Sequence, residues 1–281
     1  MKTIVLFVLG SLSVAVAGEP DFSTYWHDGK AELDGYRMTI SRYGQPRHAQ
    51  GVAVYVTEPF SESKRVKVDD PGKHPDDVID VLKLNLVRDF QTGIYDYNTM
   101  VSVFVRTSDF SPVKVSFSSA EWCGHVFEEL LFGPTGVTGF YNSYFEGETV
   151  KRDLAWPKGG ITEDSLWILL RGLRGEFLKP GEKRSVPLLT GVYFGRLAHK
   201  PLAWTDAEIE RAGDTYSVKL PNGRTGKFVI EAKYPHRITH WELLPDISAD
   251  LTGTIREEYW KLHDNGDEKY IQKLGIKPTV E

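Results

Sequence analysis

Cysteine is nearly missing from this chain. Cys123 stands alone among 281 residues, so no intrachain disulfide can staple the fold. Long apolar runs are missing too. Apart from residues 4–12 no stretch is strongly apolar, and none nears the roughly 20 residues that a spanning helix requires. Charge of one sign is never concentrated, and the formal net charge of -5 is dispersed. That pattern gives no support to nucleic acid or an anionic bilayer as partner. Repeats of solenoid or propeller type and low-complexity segments are absent. So are G-x-S-x-G, H-E-x-x-H and a phosphate-cradling glycine loop, which removes the commonest hydrolase, zinc-protease and nucleotide-binding signatures. The glycines of GPTGVTG, 133–139, precede no helix and read as a hairpin connection.

What is present is aromatic area, with 7 Trp, 13 Tyr and 14 Phe supplying a core that disulfides cannot reinforce. Residues 1–17 carry one Lys, a short apolar run and Ala15-Val16-Ala17, the make-up of a secretory signal with an A-x-A site. The expected product is an exported, periplasmic or extracellular chain, 18–281, without a transmembrane segment and forming a single mainly-β domain.

Residues 81–125 set the architecture. Leu82, Leu84 and Leu86 alternate with polar or smaller neighbours. Tyr95, Tyr97, Thr99, Val101, Val103 and Val105 do the same, and breaks at 89–93 and 107–112 make the strands an antiparallel meander. Further strands are expected at 30–43, 51–60, 138–150, 185–194, 200–211, 215–220, 227–233, 237–243 and 253–262, with a polar loop at 61–80 broken by a short extended piece at 65–68. Pro221-Asn222-Gly223 marks a hairpin. A helix is expected from the N-cap Thr162 to about Arg174, with Leu166, Leu169, Leu170 and Leu173 on its apolar face. A short C-terminal helix is expected over 264–274. The fold class expected is a large curved antiparallel sheet, or partly closed barrel, packed on one central helix. Leu170 then belongs to the core and Arg171 to the surface, so Leu170→Asp abolishes folding and Arg171→Asp is nearly neutral.

Parity along a strand 113–125 turns Glu121, Cys123 and His125 toward the core side with Val113, Val115 and Phe117. Arg88 shares parity with the leucines before it, which makes Glu121 its possible counter-ion. With Tyr95 and Tyr97, these residues are the candidate ligand-binding set. A catalytic reading with Cys123 as nucleophile and His125 as base is set against Cys123 as a small buried packing residue, and the second is preferred. On it, Cys123→Ser costs on the order of 1–3 kcal/mol. His236 and His240, four apart on a strand, lie roughly 13 Å apart and cannot share a metal. No metal, cofactor or catalytic residue is assigned.

The segments WHDGKAELDGYRMTISRYG, AVYVTEPF, VLKLNLVRDFQTGIYDYNTMVSVF and SSAEWCGHVFEEL resemble a family of exported bacterial proteins of unknown function that carry the label septum formation inhibitor Maf. The resemblance spans 26–241. Genuine Maf proteins are cytoplasmic α/β nucleotide pyrophosphatases with an N-terminal Ser-Pro-Arg-Arg type motif, which this chain lacks. Its second half is also similar to an uncharacterised envelope family with a curved sheet wrapping a helix. Neither resemblance implies a catalytic residue. Three roles follow: a non-enzymatic exported protein binding an apolar small molecule or an envelope protein in the concavity of its sheet; a structural or assembly factor without ligand; or a hydrolase using Glu121, Cys123 or His125. An open apolar cavity favours the first and a filled core the second.

Overall fold

The computed structural model describes residues 21–278. The expected signal segment lies outside them. After a short helix α1 (Phe22–Trp26), the chain runs through eight strands: β1 (Ala31–Arg42), β2 (Gln45–Ser61), β3 (Val78–Thr92), β4 (Tyr95–Arg106), β5 (Pro112–Glu121), β6 (Gly124–Phe132), β7 (Gly136–Ser143) and β8 (Val150–Ala155). Each pairs antiparallel with the next. Seven more follow: β9 (Ile161–Thr162), β10 (Lys183–Leu189), β11 (Trp204–Ala212), β12 (Thr215–Lys219), β13 (Thr225–Ile230), β14 (Ile238–Leu244) and β15 (Ile247–Glu257).

All 15 strands form one sheet in the order β8-β7-β6-β5-β4-β3-β2-β1-β15-β14-β13-β12-β11-β10-β9. Its two halves are joined by the β1–β15 ladder, which pairs residues more than two hundred positions apart. The sheet is mainly antiparallel and not closed, since β8 and β9 are its free edges. They nonetheless approach each other. Trp204 Nε1, at the start of β11, donates to the Ala155 carbonyl at the end of β8 (2.9 Å), and the Trp204 ring meets Trp156 edge-on at 5.2 Å. Sheet ends that meet this way require strong curvature.

The expected alternation holds along the centre of the sheet. Leu82, Leu84, Leu86, Arg88 and Phe90 on β3 and Tyr97, Thr99, Val101, Val103 and Val105 on β4 are buried, and of the residues alternating with them only Ser102 is buried too. The Pro221-Asn222-Gly223 turn joins β12 to β13. Five expectations need correction. The helix of 162–174 is reduced to a 3-10 turn, Glu163–Ser165, and one α-turn, α2 (Leu166–Leu169). Thr162 does cap it, accepting from Ser165 N–H at 3.1 Å. Residues 192–198, expected as strand on one side and loop on the other, form helix α3 (Val192–Ala198), set off by Thr190-Gly191 and ended by His199 in the left-handed region at φ 51°. The expected strand 138–150 divides into β7, a turn and β8, and that of 253–262 lies earlier, as β15. The C-terminal helix keeps only α4 (Lys269–Lys273).

The concave side is filled by the chain itself. Leu166, Trp167, Ile168, Leu170 and Leu173 are buried in one cluster with Tyr55, Phe228 and Trp241. The Trp167 ring stands edge-on to Phe228 at 5.3 Å and to Trp241 at 5.0 Å. Arg171 goes inward as well, against the sequence expectation. Its side chain is 0% exposed, as is that of its ion-pair partner Glu32, 2.7 Å away. The guanidinium also donates to the Pro235 carbonyl and lies over the Tyr55 ring at 4.4 Å. A chain passing through the interior rather than across the surface has no solvated face, so a charged residue there has to find its partner inside. On the opposite face, α4 seats on the paired glycines Gly35 and Gly253, where a Cβ would come within 2.2 Å of the Leu274 carbonyl oxygen and 2.3 Å of that of Lys273.

Candidate functional site

Hairpins of a meander alternate ends, so the turns β1–β2, β3–β4, β5–β6 and β7–β8 all emerge at one end of the sheet. Three are two-residue turns, Tyr43-Gly44, Gly93-Ile94 and Trp122-Cys123. Each of the four displays a large side chain to solvent: Tyr43 is 58% exposed, Ile94 77%, Trp122 68% and Tyr144 66%. The residues form a belt. Tyr95 O–H donates to Tyr43 Oη (3.3 Å), Tyr43 and Tyr97 share a hydroxyl hydrogen bond (2.8 Å), and the Tyr95 ring lies 6.2 Å from Trp122. Tyr144 folds over Gly124, where a Cβ would meet its ring at 2.4 Å, and continues to Phe145 at 5.5 Å. Arg42 stacks at 4.6 Å on Tyr43 and 5.4 Å on Tyr97.

Beneath the belt sits α3. Glu163 and Asp164 accept from the Gly191 and Val192 N–H groups and so fix its first turn. Its Tyr193 packs edge-on against Phe117 of β5 at 6.2 Å, and Arg196 pairs with Glu121 in a contact that is buried on both sides. His199 Nδ1 reaches Glu148, which also accepts from Tyr141 (3.1 Å) and Ser143 (2.7 Å). Arg196 Nη1 lies 3.2 Å from His199 Nε2, so the ring is held between an arginine and a carboxylate. A cavity of about 210 Å³ remains between α3 and strands β6 to β8, lined by Glu128, Tyr141, Glu148, Arg152, His199 and Lys200. Arg152 is paired with Glu128, and burial raises the Glu128 carboxyl above its ordinary value.

The structure separates the sequence candidates. Tyr95 and Tyr97 belong to the belt, Tyr97 buried and stacked on Phe90 at 4.7 Å. Arg88 and Glu121 do point inward, but Glu121 pairs with Arg196, and Arg88 has no ion-pair partner among the described residues. Cys123 and His125 are corrected. Strand β5 ends at Glu121, Cys123 is an exposed turn residue, and His125 lies exposed on β6. The trio is therefore not assembled into a catalytic group: Glu121 faces the core, and no hydrogen bond joins Cys123 to His125. Among the described residues no group of three or more His, Cys, Asp or Glu could hold a metal ion. Sequence reasoning missed Glu128, Glu148, Arg152, Arg196 and His199. Their only local signal was the break at Thr190-Gly191 and the stop at Pro201.

The exposed thiol reverses the expected cost of replacing Cys123. A bulky maleimide should label the native protein within minutes, and Cys123→Ser should shift the urea midpoint by no more than about 0.5 kcal/mol equivalent. Labelling only after unfolding would put the thiol back in the core.

No family model matches the chain, and no curated protein matches it. Among solved structures it is similar to a beta-barrel-like protein of a domain of unknown function, DUF1849, from Brucella abortus. Identity is 9%, the match covers 81% of this chain and 98% of that one, and the TM-score is 0.43.

Proposed function

We propose that this is an exported, non-enzymatic protein that docks an envelope protein through the aromatic belt at the hairpin end of its sheet. One observation carries the reading: four consecutive same-end turns place Tyr43, Ile94, Trp122 and Tyr144 in solvent, where folding alone gives them nothing to bury. Trp, Tyr and an adjacent Arg are the residues over-represented where protein interfaces concentrate their energy. The neighbouring charges, Arg42, Asp96 and Glu146, are mixed in sign, which favours a protein surface over an anionic bilayer. The filled concave side supports docking at the rim over an apolar molecule held inside.

Photo-crosslinking from position 94 in the native host should capture one dominant protein, and Trp122→Ala should weaken its binding about 30-fold, the effect of a hot-spot residue. Unchanged capture by Trp122→Ala together with Tyr43→Asp, or equal binding to lipid vesicles, would overturn the proposal. A second reading rests on the 210 Å³ cavity, whose carboxylates, Arg152 and Lys200 suit a small polar molecule. Mass spectrometry of protein purified from its host distinguishes it by detecting a retained metabolite.

A further inference from the structure

The sheet ends on β8, and one side of that strand's backbone is unused. The Gly133 N–H donates to the Gly136 carbonyl, so Gly136 and the even-numbered residues of β7 turn their backbone groups toward β6. Val137, Gly139 and Tyr141 therefore serve β8, where they stand opposite Leu154, Arg152 and Val150. The N–H and C=O groups of Lys151 and Asp153 point the other way. The Ala155 carbonyl agrees with that parity, because it faces outward to accept from Trp204 Nε1. Among the described residues no strand pairs with β8 on this side, and the second free edge, β9, is a two-residue strand. Lys200 and Pro201, between α3 and β11, share the lining of the 210 Å³ cavity with Val150 and Arg152 and form no ladder with them.

Such an edge is a template for another strand unless its side chains forbid it. Charged residues usually do. On β8, however, the order Val150-Lys151-Arg152-Asp153-Leu154 complements itself when the strand is turned end for end. Around a two-fold axis at Arg152, Lys151 comes opposite Asp153 of the second copy, and Val150 comes opposite its Leu154. The charged pairs are then opposite in sign and the apolar pairs match. Val150, 44% exposed in the single chain, gains an apolar neighbour. Arg152 meets its own equivalent but brings no unpaired charge, since it is held by the buried Glu128 and lies over the Tyr141 ring at 5.3 Å.

We propose that β8 is a homodimerisation edge, pairing antiparallel with β8 of a second copy of this chain in the register that sets Lys151 against Asp153. Each Lys151–Asp153 pair exchanges both of its backbone N–H···O=C bonds, and the interface is isologous. The ladder is short and buries less than a standard interface, so the dimer is transient, with a Kd of about 10 µM to 1 mM. It uses no residue of the aromatic belt and does not depend on what docks there.

Sedimentation equilibrium of the protein from about 10 µM to 1 mM should show a monomer–dimer equilibrium. Lys151→Asp, which sets like charges opposite each other on both sides of the axis, should weaken it about tenfold, and adding Asp153→Lys should restore the parent value. Asp153→Pro removes an N–H that points away from β7, so it should abolish the dimer while Tm stays at that of the parent. If that variant does not fold, the charge exchange at exposed positions still decides. Trp122→Ala should leave the dimer unchanged. A monomer throughout the range would overturn the proposal. So would a dimer that Asp153→Pro leaves intact, that the double exchange fails to restore, or that Trp122→Ala dissolves.

Discussion

Arg171→Ala is expected to destabilise the protein by about 3–5 kcal/mol, the typical cost of removing one partner from a buried ion pair. The residue is enclosed on every side. Its guanidinium pairs with Glu32, donates to the Pro235 carbonyl and lies over Tyr55 and Trp26. Removing it leaves Glu32 and the neighbouring Asp34 as buried carboxyls without an ion-pair partner among the described residues, in a domain whose whole margin is about 5–15 kcal/mol. Arg171→Lys should recover only part of the loss, because an ammonium cannot serve the carboxylate and the carbonyl in the same planar fork. Arg171→Met combined with Glu32→Gln should recover more, since it removes both charges at once. Urea denaturation followed by tryptophan fluorescence measures all four proteins. A midpoint for Arg171→Ala within 1 kcal/mol equivalent of the parent would show that the pair contributes nothing and that the interior path of this segment is wrong.

Stability should also fall as pH rises from about 4 to 7, the reverse of the usual behaviour of paired carboxylates. Two interior carboxyls cause it. Burial first, then repulsion from Glu32, pushes Asp34 up to about 7, against the opposing pull of Arg171, Thr254 and Arg237. Burial first, then Glu163, pushes Asp164 up to about 7, against the Val192 N–H and Arg88. A carboxyl that holds its proton more tightly folded than unfolded stabilises the fold while both states are protonated. That contribution is lost as pH climbs from the unfolded value near 4 to the folded value near 7.

Each group is worth up to about 4 kcal/mol in the limit. Surface carboxylates set the acid limb. Asp77, which accepts from Ser61 and the Ser63 N–H, and Glu231, which pairs with Arg237, are held below their ordinary values, so their contribution is lost as pH drops toward 4 and below. Maximum stability is therefore expected at about pH 4 to 5, where the two limbs meet. Asp34→Asn and Asp164→Asn should each flatten the descent above that range, and a Tm that climbs steadily to pH 8 in the parent would contradict both assignments.

The hairpin at Trp122-Cys123 shows where reading by periodicity failed. Val113, Val115, Phe117 and Glu121 are buried at odd positions, whereas Val126, Glu128, Leu130 and Phe132 are buried at even ones. A two-residue turn shifts the phase by one, and the shift was visible in the sequence once Gly124 was taken as the mark of a reversal. Read as one unbroken strand, the segment put Cys123 and His125 inside, where the fold exposes both.

Local physics was enough to determine much of this protein from its sequence. Strand alternation placed β3 to β5, Asn-Gly the β12–β13 turn, Thr162 the cap of the short helical segment, and parity the inward direction of Arg88 and Glu121. These depend on residues close in the chain, where side-chain direction repeats every second position. What only the tertiary structure decided depends on residues far apart in it. The ladder between β1 and β15 and the interior path that reverses Arg171 from surface to core are of this kind. So are the fold of α3 under the hairpin end and the pairing of Glu121 with Arg196 in place of Arg88. A β-branched and aromatic stretch such as Val192-Tyr193-Phe194 favours strand by itself and becomes helix only where the curved sheet leaves a concave space to fill. A charge is exposed or buried according to whether a partner from another strand meets it there, and no local pattern contains that partner.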